Sequence, residues 1–243
     1  MSEGVTSSGI VRAALRWILW AALALFLLRT FVIALYTIPS RSMAPTIEPG
    51  SIVLVNKLPF TIRSPQAIPF TTIGIPHFTI ESCGEPERGD IVLFFTPEPN
   101  RSSSSNELVK RVVALPGDRV RLTDAGVRVI NDADGVDTLY AGSLPRQVAA
   151  LFEGGAEVVV PAEGDEIRLT PAIAHQWRRI LRREGIEVAI RNNIVFLNGN
   201  PATRYRFRSD YFLPLGDNPG NSRDGRGFGL VRRGSLIGEV LGR

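Results

Sequence analysis

Four short segments hold the residues whose types and spacing can do chemistry. Pro39-Ser40-Arg41-Ser42-Met43-Ala44-Pro45-Thr46 carries two hydroxyls two positions apart. A lone serine in a polar loop reads as a turn or capping residue, whereas a serine beside a base is a nucleophile. Arg88-Gly89-Asp90-Ile91-Val92 is a turn feeding a strand. Lys110-Arg111-Val112-Val113-Ala114-Leu115-Pro116-Gly117-Asp118 begins with a lysine at the head of an apolar strand, where the amine can project into a poorly hydrated site. Gly216-Asp217-Asn218-Pro219-Gly220-Asn221-Ser222-Arg223-Asp224-Gly225-Arg226-Gly227-Phe228-Gly229 is a long polar loop. Its three alternating glycines have neither the spacing nor the strand-to-helix context of a phosphate loop.

Of the 28 basic residues only Lys57 and Lys110 are lysine. A guanidinium keeps its charge at any accessible pH, but a buried ammonium can lose its proton. For Lys57 the reading is chance, a surface charge. To bring Lys110 from about 10.4 to about 8, the site must disfavour the ammonium by roughly 3 kcal/mol, within what desolvation supplies. Other chemistries fit less well. A Ser-His-Asp arrangement would need His77, in a Pro/Thr-rich loop, or His175, on an expected helix, and no Gly-x-Ser-x-Gly elbow occurs. The histidines lack the His-x-x-x-His spacing of a zinc peptidase, and Cys83, the single cysteine, makes neither an intramolecular disulfide nor a cysteine metal site. The expectation is no metal and no cofactor.

These residues need elements to position them. Every residue from Trp17 to Leu28 is apolar, and Phe31 to Ile38 continues with only Thr37 polar. A helix from Ile10 to Leu28 spans roughly 28 Å at 1.5 Å per residue, close to a bilayer core. Arg29 then marks one interface, and Arg12 and Arg16 snorkel to the other, which the positive-inside rule makes cytoplasmic. A cleaved signal peptide would show the same basic start and apolar run. No small-x-small triplet follows Leu28 before the first chemical segment, and residues 31–38 are bulky, so the run reads as an uncleaved anchor, with 31–38 as a strand leaving the membrane and stopped by Pro39.

The remainder alternates strand-like runs with turn signals. Strands are expected at Ser51–Val55, Ile91–Phe95, Val109–Leu115, Val127–Ile130, Ile194–Leu197 and Tyr211–Leu215. Residues 61–86 and 97–106 read as loops. One helix is marked by Thr170 as cap, Pro171 in its first turn, an apolar stripe of Ile173, Trp177, Ile180 and Leu181, and Gly185 at its end. With 243 residues, 44% apolar, the chain can bury one sizeable core and a smaller unit. The formal charge of +4 is scattered, without the basic-aromatic interleaving of a nucleic-acid groove, and suits a solvated surface that favours anionic lipid. The expected organisation is an N-terminal tail and anchor at 1–30, a mainly β core at 31–128 and 205–243, and a smaller α/β insertion at 129–204.

Taken together and in this order, the four segments resemble those of bacterial type I signal peptidases, over roughly residues 29–118 and 194–230. The resemblance implies a signal-peptidase-like β catalytic core and a Ser-Lys dyad serine peptidase. Ser42 would be nucleophile and Lys110 general base. The Ser40 hydroxyl and the Ser42 amide would bind the oxyanion, and Ser222 would orient Lys110. Arg111, Asp217, Asp224 and Arg226 would support the site. It further implies preprotein substrates cut after small residues at positions −1 and −3, membrane lipid and the secretion translocon as partners, and a single-pass location in the bacterial inner membrane with the catalytic part on its outer face. Departures from the family pattern are Arg41 where glycine is frequent, Gly220 for an acidic residue, Gly225 for a serine, and the length of 61–86. Two alternatives stay open: an inactive membrane-tethered binding module, and a self-cleaving Ser-Lys peptidase.

Overall fold

The computed structural model describes residues 7–63, 79–81, 84–97, 106–131, 133–143, 145 and 148–241. Helix α1, Ser7–Leu27, continues as a π-helical turn over Leu28–Val32. The stretch Ile10–Val32 is 23 residues long and none of its most apolar window is buried. It is therefore long and apolar enough to cross a membrane. The helix runs past the expected end at Leu28, so Phe31 and Val32 lie in the turn and not in the strand. Composition alone does not separate the two outcomes here, because the run is apolar on both sides of Arg29.

The strands follow in chain order. β1 is Ile33–Thr37, β2 Ile52–Asn56, β3 Thr61–Arg63, β4 Thr79–Glu81, β5 Ile91–Phe95 and β6 Glu107–Ala114. β7 is Arg119–Thr123, β8 Gly126–Asn131, β9 Val136–Ala141, β10 Glu157–Val159 and β11 Glu166–Arg168. After helix α2, Pro171–Arg183, come β12 Val188–Arg191, β13 Ile194–Leu197, β14 Asn200–Pro201, β15 Arg204–Arg206 and β16 Tyr211–Leu215. The short helix α3, Gly225–Phe228, precedes β17 Val231–Arg232 and β18 Leu236–Leu241. A seven-stranded antiparallel sheet in the order β1-β2-β18-β5-β6-β16-β17 carries the four chemical segments at its strand ends. β18, absent from the sequence reading, lies inside this sheet between β2 and β5. Gly238 interrupts its apolar run, and only glycine fits there, because a Cβ would collide with the Asn56 carbonyl.

A second sheet, β10-β7-β8-β9, and the small ladders β11-β15 and β12-β13-β14 form the secondary unit. Thr170 caps α2 by accepting from the Ile173 amide, and Ala174, Trp177, Ile180 and Leu181 are its buried face. Gly185 closes it at φ +79°, a left-handed conformation that glycine adopts without strain. That face packs into one cluster with Val120, Val127, Phe152 and Val158 from the secondary unit and Val113, Ala114, Leu213 and Leu215 from the main sheet. The two units thus share a core. The expected boundaries at 128/129 and 204/205 fall inside β8 and β15, each paired along its length with β7 or β11. The ends of the 61–86 loop form a two-stranded ladder, β3 with β4. Most of that segment, with His77 and Cys83, and most of the other expected loop, 97–106, lie outside the described residues.

Candidate active site

Ser42 sits in a single 3-10 turn, Arg41–Met43, after β1. The turn is held from below by Met43, fully buried among Ile38, Ile47, Val53 and Ile91. It is held along its backbone by bonds from the Ala44 amide to Arg41 and from the Ile47 amide to Met43. The loop after β16 comes in from the side, where the Asn218 amide donates to the Ser42 carbonyl at 3.1 Å. This approach needs Gly216, since a Cβ there would strike the Ser222 side chain and the Ser42 carbonyl.

Lys110 projects from β6, opposite Val92 of β5, and is 2% exposed. Its Nζ donates to Ser42 Oγ at 2.7 Å and to the Val109 carbonyl at 2.7 Å. Ser40 Oγ and Ser42 Oγ are 3.1 Å apart, with Ser40 exposed and Ser42 buried. Burial lowers the Lys110 pKa to about 8, against the smaller opposing pull of Asp224 and Asp217. Desolvation is the stronger effect because it acts on the whole ammonium, whereas each aspartate is already engaged by an arginine. A substantial fraction of the amine is then neutral near pH 8, next to an alcohol within hydrogen-bond reach. This arrangement can take a proton from the hydroxyl.

The supporting residues form two arginine–carboxylate units. Arg111 grips Asp217 with both forks, Nε to Oδ1 at 2.8 Å and Nη2 to Oδ2 at 2.6 Å, and its Nη1 donates to the Gly89 carbonyl at 2.7 Å. The Arg88-Gly89-Asp90 turn is thereby tied to the loop after β16. Asp224 caps α3 and accepts from the Gly216 amide at 3.0 Å, from Arg226 Nε at 2.9 Å and from Arg226 Nη2 at 2.8 Å. Arg226 reaches on to the Ser143 and Pro219 carbonyls. Gly225, in place of a serine, fits because a Cβ there would lie 2.5 Å from Leu213 Cδ1 and 2.8 Å from the Pro214 carbonyl oxygen.

One expected contact is not formed: Ser222 Oγ is buried without a hydrogen-bond partner, so it does not bond Lys110. Both Lys110 donations go instead to Ser42 and to its own strand, and Ser222 is packed against Gly216. The sequence reading gave no role to Gly216 or to the Asn218 amide, although both lie in the quoted loop. Nor did it single out Asp118, which is fully buried and accepts from Arg88, the Leu115 amide and Asn131. His175 is exposed on α2, away from this cluster.

The chain is 30% identical to the signal peptidase I of Pseudomonas fluorescens over 199 residues, 82% of this chain and 56% of that protein. It is 26% identical to that of Buchnera aphidicola over 238 residues, 90% of this chain and 70% of that protein. The Helicobacter pylori enzyme is 29% identical over 222 residues, 86% of this chain and 73% of that protein. This chain therefore spans little more than half the length of the Pseudomonas relative. A crystal structure of a signal peptidase I from Enterococcus faecalis aligns over 66% of this chain and 100% of its own at TM-score 0.30 and 22% identity, too loose a likeness to bear on the fold. The N-terminal apolar helix fits a membrane anchor. The family model described as "Signal peptidase, peptidase S26" matches residues 11–243, and with it the chain belongs to the signal peptidase family.

Proposed function

We propose that this chain is a membrane-bound serine endopeptidase that removes N-terminal signal peptides from exported preproteins. The observation that carries the reading is the buried Lys110 amine 2.7 Å from the Ser42 hydroxyl. Neutral Lys110 accepts the Ser42 proton as Oγ adds to the scissile carbonyl. The oxyanion takes hydrogen bonds from the Ser40 hydroxyl and the Ser42 amide, each worth about 3 kcal/mol. The ammonium returns its proton to the leaving amine, and the mature N-terminus departs. The amine then deprotonates a water that attacks the ester, which releases the signal peptide and restores Ser42. Arg111–Asp217 and Asp224–Arg226 hold the two loops that flank the dyad.

Small residues at −1 and −3 of the signal peptide are the proposed specificity, with membrane lipid and the secretion translocon as partners. The proposed place is the bacterial inner membrane, single-pass, with the catalytic sheet on its outer face. What supports contact with lipid is the exposure of Leu35 and Ile52 on β1 and β2, just beyond the helix. For the domain division, the shared ladders favour a secondary unit bounded by strands, residues 119–206, set into the catalytic core.

Detergent-solubilised protein is expected to shorten a signal-bearing preprotein to its mature length, read by gel and N-terminal sequencing. Ser42→Ala and Lys110→Arg are both expected to abolish cleavage, because Arg keeps the charge and cannot give up its proton. Retained cleavage by Lys110→Arg would remove Lys110 from the mechanism.

A further inference from the structure

The second lysine has a place in the structure that its composition-level reading as chance does not explain. Lys57 directly follows β2 and meets the end of the membrane helix twice. Its backbone amide donates to the Val32 carbonyl at 2.8 Å. Its Nζ donates to the Thr30 carbonyl at 3.2 Å and lies 3.4 Å from the Arg29 carbonyl. The last carbonyls of a helix have no donors within the helix, and a positive charge there complements the helix dipole. An ammonium has three donors on one rotatable point and can serve two successive carbonyls, as the planar fork of arginine cannot do equally. Burial lowers the pKa of this ammonium, Glu107 opposes the shift by favouring the charged form, and Arg29 adds to the lowering. Glu107 begins β6, the strand that carries Lys110 three residues later.

Lys57 thus touches the helix end and extends the β1–β2 ladder, at the edge of the sheet whose inner strand β6 carries the proposed base. From Val32 the chain reaches Ser42 in ten residues, through β1, which is paired with β2 along its whole length. Without a fastening at the helix end, the turn at Leu28–Val32 would be a hinge between anchor and sheet. We propose that Lys57 is a positioning residue that locks the membrane helix to the catalytic sheet and so sets the height and tilt of the Ser42–Lys110 pair over the bilayer. The proposal rests on the reading of the chain as a membrane-anchored peptidase. It adds that a scissile bond held at a fixed depth by an inserted signal peptide is met by a site held at a matching depth.

Two measurements test it, both on the full chain reconstituted in phosphatidylethanolamine–phosphatidylglycerol vesicles. The first compares wild type, Lys57→Gln and Lys57→Arg on a preprotein inserted in the same vesicles and on a short soluble peptide spanning the cleavage site. Lys57→Gln is expected to lower kcat/KM for the inserted preprotein by about tenfold or more, since a misplacement near 1 Å can cost up to a hundredfold. It is expected to leave the soluble peptide unchanged, and Lys57→Arg to recover part of the loss. Equal losses on both substrates would make Lys57 an ordinary fold residue, and no loss on either would make it a bystander; both overturn the proposal. The second is independent of activity. A fluorophore on His175→Cys, in a Cys83→Ser background, reports energy transfer to labelled headgroups. The distribution is expected to be narrow with Lys57 and broad with Lys57→Gln. An unchanged distribution overturns the clamp, whereas absence of cleavage by wild type with the expected broadening would overturn the peptidase reading alone.

Discussion

At the scale of single residues, the chemistry turns on what burial does to one amine. The folded chain holds Lys110 at about 8 against the ordinary lysine value of 10.5. On the proposed mechanism, in which the neutral amine is the base, kcat/KM is expected to rise about tenfold per pH unit below about 8 and to level above it. The same shift has a stability consequence. Between about 8 and 10.5 the unfolded chain binds more protons than the folded one, so stability rises with pH across that window. Below it both forms are protonated, and the folded state carries the full cost of the buried ammonium, about 3 kcal/mol. Lys110→Met is therefore expected to raise the unfolding temperature at pH 7, by about 6–12 °C, while abolishing activity. Its advantage is expected to vanish as the pH passes 10.5, which thermal scans of both proteins in detergent at several pH values would check.

At the scale of elements, the site is placed by turns whose carboxylates gather donors from distant strands. Asp118 is the clearest case. Its oxygens take Arg88 from the turn before β5, at 2.6 and 3.0 Å, and Asn131 from the end of β8, at 2.7 Å. The Leu115 amide in its own turn adds a further bond at 2.7 Å. Removing the acceptor leaves Arg88 with only the Val113 carbonyl and a looser contact to Asp134 at 3.7 Å, and leaves the part-buried Leu115 amide and Asn131 side-chain amide without their acceptor. Asp118→Ala is expected to cost about 3–5 kcal/mol, seen as a lowered unfolding temperature with a parallel loss of activity. The aspartate was legible only as part of a Pro-Gly-Asp turn, because its partners lie 30 residues before it and 13 after it.

At the scale of the whole molecule, the secondary unit is not a separable appendage. Its buried cluster is completed by Val113, Ala114, Leu213, Leu215 and Leu230, all outside 119–206. Arg183 at the end of α2 also bonds the Phe228 and Leu230 carbonyls, beside the loop that carries Asp224 and Arg226. Residues 119–206 expressed alone are accordingly expected to lack a cooperative unfolding transition, because that apolar face would have nothing to close over it. A sharp melt of the isolated segment, followed by near-UV circular dichroism, would refute this.

Much of this protein is written locally. The cap Thr170, the stripe on α2 and the apolar runs at Ile91–Phe95, Ile194–Leu197 and Tyr211–Leu215 are signals contained within one element, and they matched the structure because the physics that sets them is itself local. The four chemical segments were likewise legible as residue types in order. Only the tertiary structure decided what depends on distant surroundings. It set how dry Lys110 is, that Gly216 must be bare for the Ser42 carbonyl to be approached, and that β18 inserts between β2 and β5 despite its glycine. It left Ser222 without the partner assigned to it, and it gave Lys57 one. Burial, close approach and the satisfaction of helix-end carbonyls are properties of pairs far apart in the chain, and no window along a sequence contains both members of such a pair.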